Sequence, residues 1–359
     1  MGSPAFGTVV GMAQAPSGGN EPHHVGLTAD GKVFGAGGLL AVLRGQPDLL
    51  FFNVSDPLHP SFITSADPPQ SAIPDEFVAL PGGGFLVTMM GSATGGSPGR
   101  VAKINPDLTV QGEYPASPPT GLNPHGIAVD FKRRRMVTGD YLLPASTLIP
   151  TNGPVLRTTF RVWDLDSMEI ISTFNAGHVA AAGFMDARLL GDTGVVILGS
   201  GKGRVYGVNI TNPSQVKVVH FVSNATNHCL LAPFAKGTRI LASIFGLDLI
   251  QLIDSSNPWS LKVIKEYYLP AGSGPHYITL SPDERMAAVS TYFLDEDPAK
   301  GVVHAGGSRM VYFFDIDVHG NDFVPHPNVP YVDFKAALLG NSSIECGGWR
   351  PHGMAFKQP

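Results

Sequence analysis

Six short segments that carry a histidine or an acid recur about every fifty residues along the chain. Most of them precede an alternating or apolar run, then a Gly- or Asp-rich turn, then another apolar run. The segments are Glu21-Pro22-His23-His24, Ile73-Pro74-Asp75-Glu76, Asn123-Pro124-His125-Gly126, Asn227-His228-Cys229, Gly274-Pro275-His276-Tyr277 and Arg350-Pro351-His352-Gly353. A repeat of this length is typical of an array or a closed ring of similar units. In a ring, equivalent positions face one axis, so these scattered side chains are expected to converge.

One repeat can be read in full from the segment that contains His125. Gly126 to Phe131 has the pattern of a strand, and the following basic residues form a turn. Met136 to Asp140, Thr158 to Leu165 and Glu169 to Phe174 have the patterns of three further strands. Four antiparallel strands in chain order make a unit of the size of one propeller blade.

The same pattern repeats along the whole chain and predicts an all-β fold, a single β-propeller of four-stranded antiparallel blades over residues 1–359. The expected blade starts are His24, Asp75, His125, Asp186, His228 and His276. Six blades are favoured, with residues 350–359 returning to the axis as an inner strand and residues 1–20 helping to close the ring. Seven blades are the alternative. Each repeat needs its neighbours to bury its faces, so no domain boundary is expected.

Composition supports this fold and excludes some function classes. The 43 glycines and 31 prolines imply many tight turns, as an all-β protein needs. A net charge of −5 provides no basic footprint for nucleic acid, and the run Lys132 to Arg135 is expected in a solvated turn. No stretch approaches the roughly 18 apolar residues of a membrane span. The best helical spacing lies at Val332 to Leu339, where a helix is predicted.

Localisation is only weakly indicated by the sequence. Four N-glycosylation sequons, which begin at Asn53, Asn209, Asn224 and Asn341, favour a secreted glycoprotein slightly over a cytoplasmic protein. The two cysteines, Cys229 and Cys346, are too few for a disulfide scaffold. They either form one bridge or stay reduced.

The first strand of each propeller blade lines the central channel, so residues at the blade starts are expected at one mouth of that channel. Imidazole is the commonest ligand of late first-row metals, and several imidazoles with one carboxylate suit copper, zinc, iron or manganese. The predicted metal ligands are His24, His125, His228, His276 and His352, and the less certain ones are His23, His178 and Asp186. The alternative is a structural histidine that caps each inner strand.

Catalytic roles are predicted for acids and histidines of the same set. The second blade starts with two adjacent acids, so Glu76 or Asp75 is the candidate general base or carboxylate ligand. His125 and His276 are the candidate catalytic histidines. Glycine runs such as Gly82 to Gly84 lack a following Lys-Ser/Thr pair and a helix, so no phosphate-bearing cofactor is predicted.

The histidine phrases resemble those of the selenium-binding protein and methanethiol oxidase family. The resemblance rests on the histidine segments above and on Ser281-Pro282-Asp283-Glu284, and it is strongest in about the last ninety residues. It implies a β-propeller with a His-rich centre that binds a metal, copper in the oxidase members. The family's chains are longer, and their cysteine-rich N-terminal motif is absent here, so this chain resembles a short, divergent member.

The sequence thus predicts a metal-dependent propeller enzyme, an oxidoreductase that acts on a small apolar or sulfur-containing substrate. Copper is the favoured metal, followed by zinc, iron or manganese. The alternatives are a metal-free hydrolase, lyase or cyclase of secondary metabolism that uses the same histidines and acids, and a non-catalytic binding propeller. The expected partner is a small molecule, not nucleic acid or a membrane, and the oligomeric state is left open.

Overall fold

The computed structural model describes residues 6–16, 21–148, 154–177, 182–222, 229–291, 294–295, 304–305, 307–335 and 350–357. Six antiparallel sheets follow one another in chain order. The first three contain the strands β1 Pro22–Leu27, β2 Val33–Gly38, β3 Leu49–Asn53, β4 Ser61–Ala66, β5 Ser71–Ala79, β6 Phe85–Ser92, β7 Arg100–Ile104, β8 Val110–Tyr114, β9 Pro124–Asp130, β10 Arg135–Asp140, β11 Thr159–Asp164 and β12 Glu169–Asn175. Short helices, α1 Ala41–Arg44 and α2 Ala145–Leu148, lie in two of the connections.

The remaining sheets repeat this order. Their strands are β13 Phe184–Leu189, β14 Val195–Ser200, β15 Arg204–Asn209, β16 Val216–Phe221, β17 Cys229–Phe234, β18 Arg239–Ile244, β19 Leu249–Asp254, β20 Lys262–Tyr268, β21 Ile278–Leu280, β22 Met286–Ser290, β25 Met310–Ile316, β26 Phe323–Pro325 and β27 Tyr331–Asp333. A small hairpin, β23 Leu294–Asp295 with β24 His304–Ala305, lies between β22 and β25. The chain is therefore a six-bladed β-propeller, and the prediction of six blades rather than seven is confirmed.

The first strand of each blade lies innermost. Neighbouring first strands contact one another from β1 to β5, β9, β13, β17 and β21 in turn. The strand β5 is buried over most of its length, whereas β12 alternates between exposed and half-buried residues. Residues at the starts of the first strands are thereby brought to the centre, as the repeat predicts.

Apolar side chains fill the spaces between the blades. Between the third and fourth blades, Phe160 packs against Phe184, and both side chains are fully buried. Each such phenylalanine removes enough apolar surface from water to stabilise the fold by about 2 to 3 kcal/mol. The indole of Trp163, also fully buried, donates a hydrogen bond to Thr138 Oγ1 at 2.9 Å, so its polar atom is satisfied inside the core.

The prediction of a helix over Val332 to Leu339 is wrong for residues 332–335, which are the part of this range that the structure describes. Val332 lies in β27, which pairs with β25, and its partner in the ladder is Val311. The apolar spacing that indicated a helix reflects an outer strand packed on the sixth blade. Residues 336–339 lie outside the described residues.

Lys132 to Arg134 of the basic run lie in the turn between β9 and β10, as predicted, whereas Arg135 already begins β10. Its charges are paired: Lys132 and Arg133 contact Asp192, and Arg134 contacts Asp166. In the described part of the chain, no helix has the length and apolar character needed to cross a membrane.

Segments from both ends of the described chain lie where the sixth blade meets the first. Phe6 packs on Phe313 with ring centroids 5.1 Å apart, and Ala13 packs against the core of the first blade. Gly353 N donates a hydrogen bond to His23 O at 3.0 Å. These contacts hold the sixth blade against the first.

The buried carboxyl of Asp48 predicts a stability that depends on pH. Burial raises the pKa of Asp48 to about 7, and the nearby carboxylates of Asp67 and Glu113 add to this effect. Because the pKa in the folded state exceeds that in the unfolded state, this group stabilises the fold most below pH 3.8, and that stabilisation is lost as pH rises through about 7. The parent should lose unfolding free energy between pH 5 and 8 through this titration, and the Asp48→Asn variant should lose roughly 2 to 3 kcal/mol less over the same range.

Urea unfolding at several pH values measures this difference. The control is Asp107→Asn, because Asp107 is exposed and its pKa is lowered, so it does not titrate between pH 5 and 8. Parallel stability profiles of the parent and Asp48→Asn would contradict the prediction.

Candidate metal centre

The first inner strand contains a β-bulge at its histidine pair. In β1 the register shifts between Pro22 and Val25, so His23 and His24 together occupy the irregular stretch. In a regular strand, successive side chains point to opposite faces, and only one of the two could face the channel. Bulges re-aim side chains in this way next to active sites. Both histidines are consequently buried, with 3% and 2% of their surface exposed.

The second inner strand has the same irregularity at its acids. In β5 the register shifts between Pro74 and Phe77, which frees both Asp75 and Glu76 from the regular pairing. Ile73, just before this stretch, has a φ of 63°, which is strained for a β-branched residue. Asp75 is completely buried, and Glu76 is 6% exposed. From the sequence, one residue of each pair was expected to face the channel, either His23 or His24 and either Asp75 or Glu76. In the structure both residues of each pair are buried.

The glycine that follows the histidine in the Pro-His-Gly segments allows close contact between blades. A Cβ on Gly126 would lie 2.5 Å from Met185 O and 2.6 Å from Asp186 Cα, both in the next inner strand. A Cβ on Gly353 would lie 2.6 Å from His23 O. Only glycine allows backbones to approach this closely, and this approach brings the adjoining histidines into the shared centre.

Five imidazoles pack against one another at the centre. His23 and His24 lie in β1 and His125 lies in β9, whereas His276 precedes β21 and His352 lies in residues 350–357, which return to the axis without forming the predicted inner strand. The rings of His23 and His352 stack with centroids 3.5 Å apart. His24 lies 5.1 Å from His352 and 5.1 Å from His125, and His276 lies 4.7 Å from His352. All five side chains are at most 3% exposed. The centre is thus rich in nitrogen donors and closed to bulk water.

The carboxylate of Asp75 lies between two of these imidazoles. Its Oδ1 contacts His24 Nδ1, and its Oδ2 is 3.1 Å from His125 Nε2. Neither oxygen accepts a hydrogen bond from a described residue. On its other side, His125 Nδ1 lies 2.6 Å from Met185 O. A carbonyl oxygen can only accept, so Nδ1 carries the proton of this ring, and the lone pair of neutral His125 is on Nε2.

Burial controls protonation in the centre. It lowers the pKa of His24 to about 3, with a further contribution from the charge of Arg188, and it lowers the pKa of His23 well below its ordinary value. These imidazoles are therefore neutral near pH 7, the form that binds a metal. Burial also raises the pKa of Asp75 to about 6, against the opposing effect of His125.

A buried ion-pair network adjoins the imidazoles. Arg188 Nη2 is 2.9 Å from Asp186 Oδ1, and Arg188 Nη1 contacts Glu76 Oε1. The other carboxylate oxygens accept backbone hydrogen bonds, Glu76 from Ile127 N at 3.0 Å and Asp186 from Leu231 N at 2.6 Å. Burial raises the pKa of Glu76 to about 7, although Arg188 opposes this, and burial likewise raises that of Asp186. The network links inner strands of the second to fifth blades.

Hydroxyl groups on the second strands anchor three of the histidines through their backbone. In each case a serine or threonine of one blade donates a hydrogen bond to the carbonyl of a histidine that follows in the chain. The pairs are Thr88 with His125 at 2.6 Å, Ser243 with His276, and Ser290 with His352 at 2.7 Å. The recurrence of this contact shows that these three blades each position the histidine that follows them.

We expect the Thr88→Val variant to be destabilised by about 2 to 3 kcal/mol. Thr88 is completely buried, and its Oγ1 also accepts a hydrogen bond from Glu76 N at 2.9 Å. Valine keeps the shape but leaves the backbone N–H of Glu76 and the carbonyl of His125 without this partner, at a cost of about 1 to 3 kcal/mol for each group. Urea denaturation measures the loss. Thr88→Ser, which keeps both hydrogen bonds, should lie within about 1 kcal/mol of the parent, and equal losses in both variants would contradict the argument.

The structure brings together six of the side chains that the sequence singled out, namely His23, His24, Asp75, His125, His276 and His352. Glu76 and Asp186 instead form ion pairs with Arg188. The other two candidates, His228 and His178, lie outside the described residues.

Sequence reasoning missed Arg188 and Tyr141, and it named Tyr277 only as part of the segment that contains His276. Arg188 lies two residues after Asp186 in β13, so strand alternation puts both on one face and could have indicated the pair. The ring centroid of Tyr277 is 5.3 Å from that of His24, and Tyr141 is 4.9 Å from His125. Both tyrosines are nearly buried and help to exclude water from the imidazoles.

Comparisons with known proteins identify the fold of the chain but not its family. No protein-family model matches the chain, and no curated protein matches it. Among solved structures, a hypothetical selenium-binding protein from Sulfolobus tokodaii is similar with a TM-score of 0.73 and 12% identity, over 90% of this chain and 84% of that one.

Two lactonase structures are also similar. The periplasmic gluconolactonase of Pseudomonas aeruginosa has a TM-score of 0.61, and a putative 6-phosphogluconolactonase from Bacteroides uniformis has a TM-score of 0.60. Each is 11% identical and covers 87% of this chain and 85% of its own. At such identities the likenesses show the fold alone: the chain is a β-propeller similar in architecture to a hypothetical selenium-binding protein, a gluconolactonase and a putative 6-phosphogluconolactonase.

Proposed function

We propose that the protein is a metal-dependent propeller enzyme, an oxidoreductase that acts on a small apolar or sulfur-containing substrate at its central histidines. The metal would be held first by His24, Asp75 and His125, with copper favoured and zinc, iron or manganese next. The observation that carries this proposal is the 3.1 Å approach of Asp75 Oδ2 to His125 Nε2 in a buried site, while His125 Nδ1 is occupied by Met185 O.

The residues present fit a metal ion for an electrostatic reason. With its proton on Nδ1, neutral His125 directs a lone pair from Nε2 toward the Asp75 carboxylate. Two electron-rich atoms at this distance repel each other in a site without water, unless a proton or a cation lies between them. An imidazole whose second nitrogen donates to a carbonyl is also the usual form of a metal-ligating histidine.

The donor chemistry favours the late first-row metals. Imidazole suits copper, zinc and iron, whereas calcium requires a shell of oxygen ligands. The described centre has five histidines and only Asp75 as a carboxylate beside them. When bound, a copper or iron ion could exchange electrons with a substrate, whereas zinc could only polarise it.

The chain's own residues have separable roles in this proposal. Glu76, with its pKa near 7, is suited to hold or move a proton at neutral pH, and Arg188 fixes its position. Tyr141 and Tyr277 cover the imidazoles and keep water out. An enclosed aromatic surround of this kind admits small apolar molecules more readily than charged ones.

A metal-free hydrolase, lyase or cyclase is the second candidate. It is favoured by Glu76, whose carboxyl titrates near neutral pH beside the fixed cation of Arg188. General acid–base catalysis needs such a group and no metal. Activity that survives complete removal of metal by a chelator would favour this candidate over the oxidoreductase.

Elemental analysis by plasma mass spectrometry tests the leading proposal. Protein purified without chelator should contain at least one copper, zinc, iron or manganese ion per chain, and the His125→Ala variant should contain one ion fewer than the parent. The matched control is His59→Ala, because the side chain of His59 is 81% exposed and pairs with Asp56 at the surface. Turnover of small thiols and apolar alcohols should consume dioxygen only in the metal-loaded parent and control. Absence of metal from all three proteins after reconstitution would overturn the proposal.

A further inference from the structure

The metal-ligating atoms of the described residues fall into two groups rather than one. The first contains His24, Asp75 and His125, and the second contains His23, His24 and His352. Within each group the donor atoms lie within 4.8 Å of one another. Ligands of one first-row ion lie about 2.1 Å from it, so opposite donors are about 4.2 Å apart, and each group has the size of one coordination shell after small adjustments. The groups share only His24, which suggests two positions.

The shared residue has two nitrogens with which to serve both groups. His24 Nδ1 contacts Asp75 Oδ1, so this nitrogen belongs to the first group. His24 Nε2 is buried and makes no hydrogen bond with a described residue. A buried polar atom without a partner is costly, and native structures usually satisfy it with water or an ion. Since one imidazole nitrogen offers one lone pair, the second group must use Nε2.

The second group is held in place as firmly as the first. His23 Nδ1 is also buried without a hydrogen bond from a described residue. The backbones of His23 and His352 are joined by the hydrogen bond from Gly353 N, and Ser290 Oγ fixes the carbonyl of His352 at 2.7 Å. The three imidazoles therefore converge from the first strand and from the segment that closes the ring.

We propose that the centre binds two metal ions, and that the ring of His24 links them. The first ion is that of the proposed function, on which this inference rests, and the second is bound by His23, His352 and His24 Nε2. His24 then gives its one N–H proton to solvent and coordinates through both nitrogens. The second position has no carboxylate of its own, so it suits a metal that favours imidazole, such as copper or zinc.

Counting ions on the full-length chain tests this directly. Metal-free protein is titrated with copper alone, and native mass spectrometry counts the ions bound. Two ions are expected for the parent and for the His59→Ala control. One ion is expected for His352→Ala and for His23→Gln, which leave the first group intact, and one for His125→Ala, which leaves the second.

Electron paramagnetic resonance provides a second readout that does not depend on turnover. Two Cu(II) ions joined by a deprotonated imidazole couple magnetically. The integrated signal of the parent should therefore correspond to fewer unpaired spins than it has copper ions. The signal of His352→Ala should account for all of its single copper. One ion in the parent would overturn the second position and leave the proposed function standing, whereas no ion would overturn the proposed function itself. Two uncoupled ions would overturn the link through His24.

Discussion

The Gly126→Ala variant is expected to lose about 3 kcal/mol or more of unfolding free energy. The added Cβ would lie 2.5 to 2.7 Å from the backbone of Met185, Asp186 and Ala187 in the neighbouring inner strand. Backbone atoms cannot turn aside as a flexible side chain can, so two inner strands must move apart. Overpacking of a tight interior usually costs about 1 to 3 kcal/mol, and a clash with backbone belongs at the upper end of that range. The urea midpoint of the purified variant measures the loss.

Gly82→Ala is the matched control for this prediction. Gly82 has open space where its Cβ would lie, and its φ is not in the left-handed region. Its substitution should change the unfolding free energy by less than about 0.5 kcal/mol. If both variants unfold at the parent's midpoint, the close approach of the third and fourth blades at Gly126 is wrong.

Replacing Arg188 by methionine is expected to destabilise the protein by about 3 kcal/mol at pH 8. Methionine preserves much of the side-chain volume but removes the cation between Glu76 and Asp186. Removal of one partner from a buried ion pair typically costs about 3 to 5 kcal/mol, because it leaves uncompensated charge. Arg188 keeps 22% of its side chain exposed, which favours the lower value.

The loss in Arg188→Met should also depend on pH. Without the guanidinium, the pKa of Glu76 rises above its present value near 7, so protonation at pH 6 removes one of the two unpaired charges. The deficit relative to the parent should therefore be smaller at pH 6 than at pH 8. Thermal unfolding at both pH values measures it.

Two further variants test the cause of this loss. Arg134→Met removes an exposed ion pair with Asp166 and should cost less than about 1 kcal/mol. The triple variant Arg188→Met/Glu76→Gln/Asp186→Asn removes all the charges and should recover part of the stability. A loss in Arg188→Met that is independent of pH and is not recovered in the triple variant would show that packing, not charge, explains the effect.

The sequence was sufficient to predict the six blades and the convergence of the histidines, because both follow from the repeat. The period of about fifty residues sets the size of a blade, and equivalent positions in a closed ring must meet. The helix at Val332 was predicted wrongly, because a short apolar run that packs on a blade can mimic helical spacing.

The details of the centre depended on information that the sequence pattern does not carry. Strand alternation allows only one residue of His23-His24 to face inward, and the bulge that admits both is visible only in the pairing with β2. Likewise, the hydroxyl of Thr88 acts on His125 across a blade boundary, so no local spacing indicates the contact.

The stacking of His23 on His352 would make metal binding at the proposed second position depend on the completeness of folding. These residues are more than 300 positions apart in the chain, and they meet only when the sixth blade is docked against the first. A chain that is still being synthesised, or one cut before residue 352, retains the blades but lacks part of the donor set. An ion at the proposed second position would therefore be absent from immature chains, and once bound it would tie the last segment to the first and oppose opening of the ring.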